Sequence, residues 1–476
     1  MEILKPSDSI EKNVGRLLPF LCFLLVVTFV FLIAFDVQFP TLNIEKNEHS
    51  PKPTLLLPAV GLIISVQILL GFLALRRIRL ADATEKIGSF EKYYNILSYC
   101  LMLLGYVFSF YRGFRMPNLW SMGYFVPGYW DGIYRRALAG TFLSLFGDLR
   151  FDYYFIVSIQ AAIFLAFHAI LLREMIRSNF AIRFVFAFFL LSPAGGYWFH
   201  EIGYIDQLLF LILFICILSK NSFVPGFLVG VSPLFHEQAL LIILPVYLLS
   251  LYFKENGFSK WWFLPFILAF VSFFICLSVP IVGLSLAEFF NSWKLHANYF
   301  PRLDYVNDAL IAKTTRFMAM HYAEDQIPIL VLTVIVGIFA SWTAALNNSA
   351  KTRNTLFGLG VICFLSPLLL GLVGWDTSRW IFLSLVSSLF IFYLGRDSLK
   401  GNLFYGSIFA LVLLTAVGNL RYFDGYRPRK VSINSVQQFI ESGFIQESTR
   451  IPKLYVLGSI TLYPLQRQQK IDFVFL

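Results

Sequence analysis

The feature that most constrains this chain is a succession of long apolar runs, at about 17–36, 54–75, 95–111, 152–172, 181–199, 204–219, 222–234, 237–253, 261–283, 328–346, 355–374, 380–395 and 402–418. A bilayer crossing needs about 20 predominantly apolar residues, and in hydrocarbon the backbone must satisfy its own polar groups. The runs are solidly apolar and lack the alternation of an outer-membrane strand. They predict an all-α fold, a polytopic transmembrane helical bundle with about 11–13 spans. The runs at 222–234 and 237–253 are short. They read either as two thin spans or as a re-entrant pair broken at "SPLFHEQ".

Composition agrees. Hydrophobic residues make up 58% of the 476-residue chain and charged residues only 14%, against roughly a quarter in soluble domains, which excludes a soluble enzyme. The net charge of +10 needs no nucleic acid, because positive residues collect in the cytoplasmic loops of inner-membrane proteins. Cys22, Cys100, Cys216, Cys276 and Cys363 all fall in apolar runs and imply no disulfide framework. The run Leu17–Phe35 has no small-residue cleavage site and reads as a retained first helix.

Lysine and arginine then set the orientation. With the N-terminus (Lys5, Lys12, Arg16) in the cytoplasm, alternation puts the loop "RRIRLADATEKIGSFEK" inside. It does the same for Arg173, Arg177, Lys220, Lys254, Lys260, Lys351, Arg353, Arg396 and Lys400. The opposite set of connections holds loop 112–151, the turn at 200–203, the "HEQ" break, loop 284–327, "GWDTSR" and the chain from about 419. This predicts a multi-pass protein of a bacterial inner membrane, with residues 1–418 as the helical domain. Residues 419–476 read as a small extracytoplasmic appendage, with a short helix at "SVQQFIESGF" and a strand-like "KLYVLGSITLYP".

The same orientation sends Asp131, Arg135, Arg136, His200, Glu201, Asp206, His236, Glu237, Asp376 and Arg379 to the outer helix ends. An ionisable residue within a span costs about 2.5–3.5 kcal/mol on insertion scales, so such residues pair, line a wet cavity or do chemistry. Each also has a plainer explanation. "WDGIYRR" could be an interfacial aromatic belt with snorkelling arginines, and "FHEIGYID" a turn that satisfies helix ends. "SPLFHEQALL" could hold a core His–Glu pair, and "GWDTSRW" a structural Asp–Arg pair. Function outweighs these for the first and third, because outer loops are normally poor in arginine and breaks at membrane depth concentrate at sites, and Asp206 inside an apolar helix brings it at least level for the second. His168, alone on an apolar face, reads as a core residue.

Carboxylates and imidazoles offer a general base, and arginines offer a fork for phosphate. A cavity combining them at the outer interface suits a lipid-linked phosphate substrate. No G-x-x-x-x-G-K-[ST] motif and no HExxH is present. The "HE" dipeptides at 200–201 and 236–237 admit a divalent cation, but their spacing fixes no coordination geometry and no metal ligand is assigned.

The many-span layout with an acid in an early outer loop, "YWDGIYRR", resembles the GT-C superfamily of membrane glycosyltransferases. It is similar also to the membrane proteins of surface-polysaccharide assembly such as O-antigen polymerases. The resemblance implies an extracytoplasmic glycosyltransferase with a polyprenyl-phosphate or -pyrophosphate sugar donor, a glycan acceptor and membrane lipid as partners. It implies a catalytic set of Asp131, Glu201, Glu237 and His236. Asp131 is the first choice for base or metal ligand, and Glu201 and Glu237 are its rivals. Arg135, Arg136 and Arg379 would bind phosphate, with His200, Asp206 and Asp376 orienting them or meeting sugar hydroxyls. The rival class is a transporter or lipid-linked glycan flippase. Carriers use broken helices and buried acids too, but they place them near the midplane and usually carry internal repeats, which this chain does not display.

Overall fold

The computed structural model describes residues 87–114, 119–200, 202–277, 281–283, 288, 291, 326–346, 348–372, 376–417, 420, 422, 428, 429 and 431–441. Its helices are α1 (Ile87–Gly113), α2 (Leu138–Leu143), α3 (Tyr153–Arg177), α4 (Phe180–Leu191), α5 (Pro193–His200), α6 (Ile205–Leu218) and α7 (Phe223–Val231). They continue with α8 (Leu244–Glu255), α9 (Phe263–Leu277), α10 (Ile327–Ala345), α11 (Ala350–Leu365), α12 (Thr377–Leu394), α13 (Gly401–Val417) and α14 (Ile433–Glu441). The only sheet among the described residues pairs β1 (Gly132–Ile133) with β2 (Ile281–Gly283), antiparallel, Gly132 opposite Gly283. The fold is therefore helical, as expected.

Among the described residues, five helices, α1, α3, α10, α11 and α12, are long and apolar enough to cross a membrane, or six if α4 and α5 make one bent span. The expected 11–13 spans are thus met only in part. Several of the apolar runs fold as helices of 10–17 residues, shorter than a full crossing. The runs at 17–36 and 54–75, nearly all of loop 284–327 and the strand-like "KLYVLGSITLYP" lie outside the described residues.

One run departs from its expected form. Residues 181–199 do not make one straight helix but bend by 70° between α4 and α5. The cause is local. Pro193 lacks the N–H that would continue α4, and its ring clashes with the preceding turn. Ser192 ends α4 with its amide on Phe188 O at 2.9 Å. Beyond the bend, a Cβ on Gly113 would sit 1.7 Å from Gly196 O, so the backbones of α1 and α5 touch, and only glycine permits that approach.

Side-chain caps set several helix starts. Asp152 accepts from Phe155 N at 2.7 Å for α3, Asn179 from Ile182 N at 3.1 Å for α4, and Asp376 from Arg379 N for α12. α12 is buried all round from Thr377 to Tyr393 and forms the centre of the bundle, with α10, α11 and α4 packed on it.

The helix ends separate into two sets. At one end, Tyr393 Oη donates to Glu174 at 3.0 Å, Asn179 Nδ2 to Arg396 O at 3.2 Å, and Lys254 Nζ to Ser219 O at 2.8 Å. This basic end carries Arg173, Arg177, Lys254 and Arg396. The other end gathers the C-terminus of α1, the 119–152 segment, the N-termini of α6 and α12, the 235–238 break, and residues 420, 422, 428, 429 and 431–441. There Arg429 reaches back to cap α1, donating to Tyr111 O at 2.7 Å and to Phe114 O. The alternation read from lysine and arginine matches the separation of ends among the described helices.

Candidate active site

The site is built where four distant segments meet at the end opposite the basic connections. α7 runs up to a 3-10 turn at Ser232–Leu234, the helix breaks over 235–238, and α8 returns, with Ser222 near the start of α7 donating to Glu255 at 3.1 Å. The two short runs therefore form a hairpin with its tip at "FHEQ". A single turn, Ala239–Ile242, follows the tip, and Leu240 N donates to Glu237 O at 3.2 Å.

Three consecutive tip residues face different partners. Glu237 receives both Arg135 and Arg136. Arg136 Nε donates to Oε2 at 2.8 Å, and the Nη2 groups of both arginines converge on Oε1. Adjacent residues normally point apart. Here Arg136 adopts a left-handed backbone with φ of 62°, which turns both guanidinium groups to one side. For a non-glycine residue that conformation costs about 1–3 kcal/mol and marks sites where the surroundings enforce it. Arg136 also lies over the Tyr124 ring at 5.7 Å.

Gln238 points inward and donates to Asp206 Oδ1. Asp206, in the first turn of α6, holds Arg379 with two bonds, Nε to Oδ2 at 2.8 Å and Nη2 to Oδ1 at 2.9 Å. Both side chains are sealed, at 0% and 5% exposure. Asp376 caps α12 and so fixes Arg379 on its first turn. Beside them Thr377 Oγ1 donates to Gln326 Oε1 at 2.6 Å, and Gln326 Nε2 donates to Ser378 Oγ at 2.8 Å.

His236 completes the tip. Its Nδ1 accepts from Gln238 N at 3.2 Å and lies 3.4 Å from Glu237 Oε2. Burial and the neighbouring Arg136 push its protonation below the ordinary imidazole range, against the pull of Glu237. Glu237 moves the other way. Burial disfavours its charge, but Arg136, His236 and Arg135 outweigh burial and hold the carboxyl well below the usual range.

Asp131 lies at the same end of the bundle but is bound to other partners. Arg150 grips it bidentately, Nη1 to Oδ2 at 2.6 Å and Nη2 to Oδ1 at 2.7 Å, and Gly128 N donates to Oδ2 at 2.9 Å. A carboxylate so occupied acts here as a strap across the 128–150 loop. Tyr129 N donates to Thr141 Oγ1 at 2.8 Å and tightens the same loop. His200 also stands apart, stacked on Tyr422 with centroids 4.7 Å apart. Glu201 lies outside the described residues.

The structure thus brings together Arg135, Arg136, His236 and Glu237, and joins them through Gln238 to Asp206, Arg379 and Asp376. Arg150 and Gln238 were not singled out from the sequence. Gln238 had a signal, as the third residue of the "HEQ" break. Arg150, at the end of "FGDLRF", had none. His168 is a core residue, ringed by Phe164 at 4.1 Å and Trp198 at 5.0 Å. Among the described residues, no three His, Cys, Asp or Glu side chains group as metal ligands would. Comparison with protein-family models, with curated proteins and with solved structures finds no match to this chain.

Proposed function

We propose that this is a membrane glycosyltransferase that takes a polyprenyl-phosphate or -pyrophosphate sugar donor on the extracytoplasmic face, in cell-surface polysaccharide assembly. The observation that carries this reading is the convergence of Arg135, Arg136 and Glu237 at the end opposite the basic connections. Their side chains are 13–14% exposed, so they line a reachable edge. The guanidinium groups suit a phosphate and Glu237 is the adjoining carboxylate. In the reaction the acceptor hydroxyl oxygen attacks the anomeric carbon while the bond from that carbon to the phosphate oxygen breaks. The bonding pair leaves with the phosphate, held by Arg135 and Arg136, and the hydroxyl proton passes to Glu237. Asp131 supports this site by bracing the loop, and the GT-C likeness remains one of layout.

The carrier reading draws on the bent α4–α5 pair and the broken 235–238 hairpin. It is disfavoured by the gathering of the buried ion pairs at one end. The deciding measurement is transfer of labelled sugar from a polyprenyl-linked donor by purified protein in lipid. Arg136→Ala should lower transfer by about 100-fold or more, the scale of losing a charge-stabilising donor, with protein yield unchanged. Equal transfer by the variant, or proton-driven solute uptake by the wild type, would reject the reading.

A further inference from the structure

The ion pairs at the site end differ in what can reach them. Arg379 and Asp206 are sealed in the bundle, whereas Arg135, Arg136 and Glu237 keep an exposed edge. The accessible group is also lopsided, with two guanidinium forks aimed at a single carboxylate. Arginine has several N–H donors in a fixed fork. Arg136 commits Nε and Nη2 to Glu237, Arg135 commits Nη2, and the Nε donor of Arg135 is buried with no partner. The left-handed turn at Arg136 is what aims both forks at one point. Glu237 itself sits in a helix break, between Leu234 and Ala239, where a shift of the tip disrupts no long helix.

We infer that Glu237 is an internal stand-in for an anionic ligand, and that a phosphate or pyrophosphate ester takes its place between Arg135 and Arg136. Two forks hold a multiply charged, several-oxygen anion better than one carboxylate. The exchange releases Glu237 from the guanidinium groups and places a free carboxylate beside the newly bound phosphate. This deepens the transferase reading and rests on it for the origin of the phosphate, but the exchange itself is a binding event. Its signature is a sign. A ligand that must displace an internal competitor binds with an affinity reduced by the fraction of sites left open. Removing the competitor then tightens binding.

The test uses full-length protein in lipid nanodiscs and inorganic pyrophosphate as probe, followed by calorimetry. Glu237→Gln should bind pyrophosphate about 10-fold or more tighter than wild type, as expected if the latch is closed at least nine-tenths of the time. Arg135→Ala/Arg136→Ala should bind it at least 10-fold more weakly. Equal or weaker binding by Glu237→Gln overturns the exchange. A second measurement needs no variant. Carbodiimide labelling of Glu237 in the wild type should rise as pyrophosphate saturates, and unchanged or falling labelling also overturns it. Tighter binding by Glu237→Gln together with a wild type that transfers no sugar would retain the exchange and reject the transferase. Sugar transfer without the affinity gain would do the reverse.

Discussion

At the scale of single residues, the lesson is that ionisable groups near membrane depth are legible but their partners are not. "WDGIYRR", "HEQ" and "GWDTSR" stand out because charge is costly there. Nothing local tells that Arg135 and Arg136 meet a glutamate about 100 positions away, or that Arg150 meets Asp131. The consequence for Glu237 can be tested by pH. Burial opposes its charge, but Arg136 foremost, with His236 and Arg135, holds its folded-state titration well below the ordinary value. A depressed carboxylate contributes stability that is fully present above the unfolded value, about 4.3, and is lost as pH falls from there through the folded value. The gap in thermal midpoint between wild type and Glu237→Gln should therefore stay constant from pH 7.5 down to about pH 5 and close only below. A gap that collapses between about pH 6 and 7 would instead assign the dependence to His236.

At the scale of elements, the apolar runs predicted most helices, and "SPLFHEQ" marked the true break. The bend at Pro193 was missed because run length was weighed before the proline within it. The 128–151 loop shows what sequence position alone leaves out, the partners of its acid. Its carboxylate closes the loop against Arg150 and Gly128 N, and that closure presents Arg135 and Arg136. Removing one partner of such a largely buried pair strands the other, at a cost of about 3–5 kcal/mol if fully enclosed and somewhat less here. Asp131→Ala should thus lower the thermal midpoint by several degrees and reduce sugar transfer. The reversal Asp131→Arg with Arg150→Asp should recover a large part of both. If the reversal regains stability while transfer stays at the level of Asp131→Ala, the carboxylate at 131 is itself a reacting group.

At the scale of the whole molecule, the positive-inside alternation and the separation of helix ends are independent. One counts lysines and arginines in the sequence. The other follows from contacts such as Tyr393 to Glu174 at the basic end and Arg429 to Tyr111 at the site end. Together they put the basic connections at one end, and the positive-inside rule then predicts an orientation that labelling can read. Asp148, in the strapped loop, and Lys351, at the start of α11, are both exposed and belong to opposite ends. In a background with Cys100 replaced, since that thiol is exposed, Asp148→Cys should react in intact cells with a membrane-impermeant maleimide. Lys351→Cys should react only after the membrane is opened. Labelling of both positions in intact cells would break the alternation, and with it the argument that the costly arginines and acids face one compartment. The reverse pattern, Lys351→Cys first, would keep the bundle and its ion pairs but turn the site toward the cytoplasm. A nucleotide-linked sugar would then be within reach, and a lipid-linked donor would no longer be required.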